Sequence, residues 1–244
     1  MKKLTIDDLV RHKDFFKLDL GNISIGFSTA ENNRSFNRHT EDGIANLESI
    51  KNEFGLKNIE YLNQIHSDKS YIYNLGKSVK DKEGDAVITN EKSTAIGVFT
   101  ADCTPIILVN EEKEVIAAIH SGWRGTFHSI VTKTLDNMIK EYGINIKSTK
   151  VFIGPHIRQC CYEISEELKR DFISHTGINE NKLFNGRNLS MEAVIVNNLK
   201  EKGVEEDNIY SLDICTHCSK DIKMHSYRSS VGTYGRLFSF VYIK

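Results

Sequence analysis

Four apolar segments follow one another in the middle of the chain, and they restrict the possible folds more than any other feature. Each has six or seven residues and is separated from the next by three; they are DAVITN (85–90), TAIGVFT (94–100), TPIILVN (104–110) and EVIAAIH (114–120). Runs of this length rich in β-branched residues predict strands. Because no helix fits into three residues, the pattern favours antiparallel meanders over regular βαβ winding.

The rest of the chain adds more strands and several helices. Further strands are predicted at 22–29, 60–66, 70–75, 150–154, 208–214 and 236–243. Apolar residues at helical spacing, with Ser or Gly at the ends, predict helices at 42–54, 126–142, 165–175 and 190–200. Runs of strands covered by helices indicate an α+β fold, a layered mixed β-sandwich with flanking helices (α/β/β/α). Since no linker or repeat interrupts the sequence, a single domain over residues 1–244 is expected.

The charge balance excludes some classes of partner. The chain carries 32 Lys and Arg against 33 Asp and Glu, a formal net charge of −1. This balance gives no field that would attract nucleic acid or anionic membranes, so neither is expected as a partner. The opening MKKLTIDDLV has no continuous apolar region, and no later segment reaches transmembrane length. A cytoplasmic monomer or small homo-oligomer is therefore expected.

Three strands end in side chains that can bind a metal ion. NQIH ends in His66, Cys103 follows a strand just before Pro105, and AAIH ends in His120. One thiolate and two imidazoles suit Zn²⁺ and leave its fourth tetrahedral position open, as catalytic sites require. Taken alone, however, each of these residues is more often an ordinary packed or hydrogen-bonded group. Separations of 37 and 17 residues provide no local link between them, so spacing alone leaves the hypothesis weak.

The five cysteines are an odd number, which together with the expected location argues for reduced thiols. Cys160 and Cys161 are adjacent, and CTHC at 215–218 is a Cys-x-x-Cys pair. A zinc ribbon needs a second pair at the same spacing, and the sequence has none. Buried or incidental thiols are therefore the favoured interpretation of these four residues.

Several motifs, taken together, resemble the YfiH/laccase-domain family. They are NQIHS, GDAVIT, TADCTPIILV, AAIHSGWRGT, IGPHIRQCCYEIS, ICTH and SYRSSVGTYGR, and they extend over nearly the whole chain. Members of this family were first described as polyphenol oxidases and later as purine nucleoside phosphorylases; the family is also called peptidoglycan editing factor. The resemblance implies metal ligation by His66, Cys103 and His120, with Zn²⁺ as the cofactor and Cu²⁺ possible at the same site.

The resemblance also implies an activity, and the residues around the three ligands suggest further site residues. The implied reaction is phosphorolysis of adenosine, inosine and methylthioadenosine, with adenosine deamination as a side activity and with nucleoside and phosphate as the partners. Beside the ligand Cys103, the predicted catalytic residues are Asp102, as an acid/base group, and Arg124, as a fork for phosphate or ribose oxygens. The alternative for Arg124 is a surface arginine whose neighbour Trp123 packs in the core. The predicted substrate-binding residues are Gln64, Trp123, Arg228 and Arg236.

The sequence departs from the family pattern at two arginine positions. Ala30 stands where the family commonly has an arginine, with Arg34 and Arg38 a few residues further on. Ser229 replaces the second arginine of the family's SYRR segment. Any anion contact that the two missing arginines make in the family is therefore in question here.

Three other classes of function are weighed against the phosphorylase. A multicopper laccase usually holds its coppers with many H-x-H pairs, and this chain has nine histidines without one such pair. A hydrolase that edits peptidoglycan precursors would be confined to cytosolic precursors. A metal-stabilised interaction module would not need a metal position that is open to water.

Overall fold

The computed structural model describes residues 1–230 and 234–244. The strands are β1 Lys2–Leu4, β2 Val10–His12, β3 Phe15–Leu20, β4 Ile23–Ser28, β5 Asn58–Glu60, β6 Ser70–Ile72, β7 Ala86–Thr89, β8 Thr94–Thr100, β9 Thr104–Asn110, β10 Val115–Ser121, β11 Lys150–Ile153, β12 Phe184–Asn185, β13 Asn188–Leu189, β14 Ile209–Leu212 and β15 Leu237–Ile243. The α-helices are α1 Glu41–Phe54, α2 Trp123–Phe127, α3 Ile130–Tyr142, α4 Glu166–Thr176, α5 Glu180–Leu183 and α6 Met191–Lys202.

Two mixed sheets form the centre of the fold. The seven-stranded sheet has the order β1-β14-β11-β9-β10-β7-β6, and the six-stranded sheet has the order β2-β3-β4-β15-β8-β5. Within the first sheet, β10 pairs antiparallel with both β9 and β7. Strand β8 leaves this series and pairs with β15 and β5 in the other sheet. The meander predicted from the four central segments is therefore wrong at β8, because its apolar residues pack against the aromatic strand β15 instead.

Apolar side chains fill the three interfaces between four layers, which confirms the predicted α/β/β/α sandwich. In β9, Ile107 and Val109 point to the core between the sheets, while Ile106 and Leu108 pack under α3 and α6. Helix α1 covers the outer face of the six-stranded sheet through Leu47 and other apolar residues. The chain alternates between the two sheets, and this favours the single domain over residues 1–244, which stays a prediction.

Helix ends follow the predicted capping residues, with one exception. Ser165 and Ser190 accept hydrogen bonds from the backbone at the starts of α4 and α6. The helix predicted over 126–142 is two helices, because Ser129 adopts a left-handed conformation (φ 57°) between α2 and α3. Helical spacing of apolar residues continues across this break, so the sequence pattern could not reveal it.

The strand predicted at 60–66 is also wrong beyond its first residue. Strand β5 ends at Glu60, and the following segment is a loop in which His66 has φ 59°. Gln64 lies in this loop and pairs with the backbone of Phe99 in β8, donating to its oxygen (2.8 Å) and accepting from its nitrogen (2.7 Å). These contacts fix the loop to the six-stranded sheet and replace strand pairing. Among the described residues, no helix combines the length and the apolar composition needed to span a membrane.

Candidate metal centre and cleft

The three predicted ligands meet at one end of the two sheets. Their donor atoms all lie within 4.8 Å of one another, and Cys103 Sγ is 3.9 Å from His66 Nε2. The strand register explains part of this arrangement, because His120 is paired with Pro105 across β9 and β10. Cys103 therefore lies just beyond the end of the paired strands. His66 comes from the β5–β6 connection, which passes from one sheet to the other.

A buried carboxylate that the sequence analysis did not assign orients this centre. Asp85 is fully buried, and its Oδ1 lies 2.8 Å from Nδ1 of His120. This contact leaves Nε2 of His120 for a metal ion, a pairing that is common for metal-binding histidines. Asp85 also accepts hydrogen bonds from the backbone nitrogens of His66 (3.0 Å) and Ser67 (2.5 Å). Burial opposes ionisation, but His120 and Ser67 together hold the pKa of Asp85 below its ordinary value.

The charge state of Cys103 suits a metal ligand. Burial disfavours the thiolate, but the charges and hydrogen bonds of His120 and His66 outweigh it and lower the pKa of Cys103 to about 6. In the same way, Cys103 and Asp85 overcome the burial of His120 and raise its pKa to about 9. Two imidazoles and a thiolate that converge from three directions fit a tetrahedral zinc ion with one open position.

The pKa of Cys103 leads to a prediction for the metal-free protein. Half of the Cys103 thiol should be ionised near pH 6, whereas an ordinary cysteine reaches this point at about pH 8.5. Iodoacetamide should therefore alkylate Cys103 at a rate that rises through pH 6 and is nearly constant by pH 8. Peptide mass spectrometry measures this rate for each cysteine separately. A rate for Cys103 that still climbs steeply above pH 8 would contradict the prediction.

A glycine lies very close to two of the ligands. A Cβ atom added at Gly122 would lie 2.9 Å from His66 Cδ2 and 3.2 Å from Cys103 Sγ. The backbone at Gly122 (φ −74°, ψ 177°) is compatible with any residue, so the conflict is steric.

Gly122→Ala is therefore expected to displace the ligands and to weaken zinc binding by roughly 10–100-fold, as loss of ligand orientation does. Competition with a chromophoric chelator measures the affinity. Gly125→Ala is the matched control, because its Cβ would approach the backbone oxygen of Ser67 (3.1 Å) and no ligand side chain. Equal zinc affinities for the two variants would refute the steric argument.

A cleft of about 680 Å³ opens over the metal centre, and every predicted site residue lines it. These residues are Gln64, His66, Asp102, Cys103, His120, Trp123, Arg124, Arg228 and Arg236. Arg38, which the sequence analysis mentioned without a role, also lines the cleft. Residues 231–233, in the middle of the SYRSSVGTYGR motif, lie outside the described residues, while Arg228 and Arg236 on either side are described.

The two arginines near the family's missing arginine have different surroundings. Arg34 is bound to Asp14 (2.8 Å) and Glu53 (3.0 Å), in an ion-pair network away from the cleft. Arg38 instead donates to the backbone oxygen of Leu62 (2.8 Å), and its guanidinium lies over the ring of Phe99. Of the two, only Arg38 is positioned to contact a ligand in the cleft.

Asp102 is held by two hydrogen bonds. Its Oδ1 accepts from the Thr216 hydroxyl (2.7 Å) and its Oδ2 from the backbone nitrogen of Arg228 (2.7 Å). The φ of Asp102 is 90°, a conformation that residues other than glycine rarely adopt. The backbone therefore bends at Asp102, and this bend directs the carboxylate toward the segment that carries Arg228.

The sheets and the donor set together define a layered α/β/β/α protein with a histidine–cysteine cluster that can hold a metal ion. A family described as multi-copper polyphenol oxidoreductase laccase matches residues 21–244, and the chain belongs to this laccase-like family, which is also that of YfiH. The crystal structure of the hypothetical protein YfiH of Bacillus licheniformis has the same fold, with a TM-score of 0.87 over 95% of this chain and 97% of that chain at 20% identity.

The relatives in sequence include proteins with two different enzyme names. A purine nucleoside phosphorylase of Clostridium acetobutylicum is 43% identical over 218 residues, which cover 89% of this chain and 91% of the relative. A protein named adenosine deaminase, from an unknown prokaryotic organism, is 30% identical over 165 residues, or 66% of this chain and 62% of the relative.

Proposed function

We propose that this chain is a metal-dependent purine nucleoside phosphorylase that acts on adenosine, inosine and methylthioadenosine. The products would be the free base and ribose 1-phosphate or methylthioribose 1-phosphate. The observation that carries the proposal is that a cluster of three potential metal ligands and several arginines meet in one cleft. The name of the Clostridium acetobutylicum relative supports the same class of reaction.

The arginines provide a binding site for phosphate. Among the described residues that line the cleft, Arg38, Arg124, Arg228 and Arg236 contribute four positive charges and Asp102 contributes one carboxylate. Guanidinium groups bind phosphate oxygens through paired hydrogen bonds and retain their charge at all physiological pH values. Arg124 is exposed and stacks on the ring of Trp123 at 4.4 Å, which keeps its planar group at the cleft. This surplus of positive charge favours an anionic co-substrate over water.

Aromatic residues offer surfaces for the nucleoside. Trp123 and Tyr162 line the cleft, and rings of this kind stack with purines. Burial raises the pKa of Tyr162 to about 12, so its hydroxyl stays protonated at neutral pH and can donate a hydrogen bond. We assign Tyr162 the role of a donor to the leaving base or to phosphate. Both oxygens of Asp102 already accept hydrogen bonds, one of them from the backbone of Arg228. These contacts favour a role for Asp102 in positioning Arg228, rather than the acid/base role predicted from sequence.

Zinc is the metal that the donor set suits best in this proposal. Held by His66, Cys103 and His120, it would supply a Lewis acid and lower the pKa of a bound water to about 7. Copper also binds imidazole and thiolate ligands, so the metal content of the active protein has to be measured.

The proposal is tested by the phosphate requirement of base release. Purified zinc-loaded protein is incubated with adenosine or inosine, with and without phosphate, and the bases and ribose 1-phosphate are measured by chromatography. We expect ribose 1-phosphate only when phosphate is present. Arg124→Ala should raise the KM for phosphate, whereas Arg170→Ala, at an exposed position on α4, should leave it unchanged. Base release that is independent of phosphate would overturn the proposal.

Adenosine deamination is proposed as a side activity of the same cleft. The relative named adenosine deaminase supports it, and a metal-bound water is the nucleophile used by zinc deaminases. Release of ammonia and inosine from adenosine without phosphate would support this activity, and its absence would remove it.

The two alternatives are tested with substrates of their own. Among the described residues, one candidate donor cluster contains histidine, formed by His66, Cys103 and His120. Two histidines are too few to hold the several copper ions of a multicopper laccase. Oxygen consumption with a phenol would nevertheless favour the oxidase. Cleavage of peptidoglycan precursors without nucleoside turnover would favour the editing hydrolase.

A further inference from the structure

A second group of potential metal ligands lies on another part of the molecule. The Sγ atoms of Cys160, Cys161, Cys215 and Cys218 all lie within 4.8 Å of one another, and all four cysteines are free. The sequence offered no second Cys-x-x-Cys pair to match CTHC. The fold supplies the missing half as two adjacent cysteines, which the turn after Arg158 brings beside the CTHC segment.

The sulfur spacing fits ligands of one ion better than a disulfide. Sulfurs bound tetrahedrally at about 2.3 Å from zinc are roughly 3.8 Å apart. Cys160 Sγ and Cys218 Sγ are 3.6 Å apart, whereas a disulfide requires about 2.05 Å. Four thiolates would occupy every tetrahedral position, which is typical of structural rather than catalytic zinc.

Backbone amides around Cys215 prepare one sulfur for metal binding. Its Sγ accepts a hydrogen bond from the nitrogen of Arg158 (3.4 Å) and further bonds from the backbone of His217 and Cys218. Amide donors of this kind stabilise a thiolate. The surrounding surface is balanced in charge, because it carries three basic residues (Lys3, Arg158 and Lys220) and three acidic residues (Glu192, Asp213 and Asp221).

We propose that Cys160, Cys161, Cys215 and Cys218 bind a structural zinc ion that is separate from the His66–Cys103–His120 centre. Binding converts four thiols to thiolates and releases four protons to solvent. The ion joins two loops that both reach the cleft. One loop continues into Tyr162, which lines the cleft, and the other into Thr216, which donates to Asp102. The ion would therefore fix the position of both residues without contacting substrate.

The test counts metal ions in the full-length protein. Protein is reduced, loaded with zinc without oxygen, desalted and analysed by inductively coupled plasma mass spectrometry. We expect two zinc ions per chain in the wild type, one in Cys103→Ala and one in the double variant Cys160→Ser/Cys218→Ser. Lys220→Ala, an exposed neighbour of the cluster, should keep two. The proposal would be overturned if the wild type bound one zinc ion per chain and Cys103→Ala bound none.

A second measurement needs no variant and therefore does not depend on a cysteine variant folding. Zinc should slow the alkylation of all four cysteines together by at least tenfold, as read by peptide mass spectrometry. A third measurement uses the variant Cys103→Ala, in which cobalt substitution should still give strong sulfur-to-metal charge-transfer absorption. Protection of Cys103 alone, or a Cys160–Cys218 disulfide in protein kept reduced, would contradict the assignment.

Discussion

Cys103→Ala is expected to remove one zinc ion per chain and to lower phosphorolysis by more than 100-fold. Loss of a residue that only orients a ligand costs 10–100-fold in metal affinity or activity, so loss of the ligand itself should cost more. The two remaining histidines cannot form the three-ligand site, because the thiolate that completes it is gone. Zinc content and the rate of ribose 1-phosphate formation are measured on the same preparation.

His128→Ala serves as the control, since this exposed histidine lies between α2 and α3 and does not line the cleft. It should keep the wild-type zinc content and activity. If Cys103→Ala lost its zinc but kept its activity, the metal assignment would stand and the metal dependence of the reaction would be wrong. Retention of both would refute the metal centre.

Asp85→Asn is expected to weaken zinc binding by roughly 10–100-fold, because His120 loses the charged partner that orients its ring. Asp85→Ala should in addition lower the free energy of unfolding by about 3–5 kcal/mol, the usual cost of removing one partner of a buried charged pair. The partly buried donors of Ser67 would also lose their acceptor. Chelator competition gives the zinc affinity, and urea unfolding of the metal-free proteins gives the stability.

Asp68→Asn is the matched control for Asp85. Asp68 lies on the loop that carries His66 and pairs with Lys133 on the surface, where one ion pair contributes about 0–1 kcal/mol. It should change neither the zinc affinity nor the unfolding by more than this amount. An Asp85→Asn protein with wild-type zinc affinity would show that His120 needs no charged partner.

Periodicity predicted the layers of the fold, because the apolar residues of both sheets and of α3 follow regular spacing. It failed at 60–66, where side-chain contacts of Gln64 replace strand pairing, and at Ser129, where a single backbone angle divides a helix. The destination of β8 was also missed, since the sequence does not show which of two apolar sheets an apolar strand will join.

The candidate site was predicted through motif resemblance rather than spacing. His66, Cys103 and His120 are far apart in sequence, and only the fold brings their donor atoms together. Asp85 precedes a strand in the quoted motif GDAVIT, so an acidic residue directly before a fully apolar strand was a signal that could have identified it. Arg38 had no such signal, because Arg34 stands nearby with the same charge and different contacts.

Two of the metal ligands lie on connections that pass between the sheets. His66 follows β5 in the six-stranded sheet and precedes β6 in the other, and Cys103 joins β8 to β9 in the same way. A bound ion would therefore cross-link the two sheets, and its affinity would depend on how the sheets pack against each other. Substitutions in the core between the sheets would then lower the metal affinity without changing a residue of the cleft.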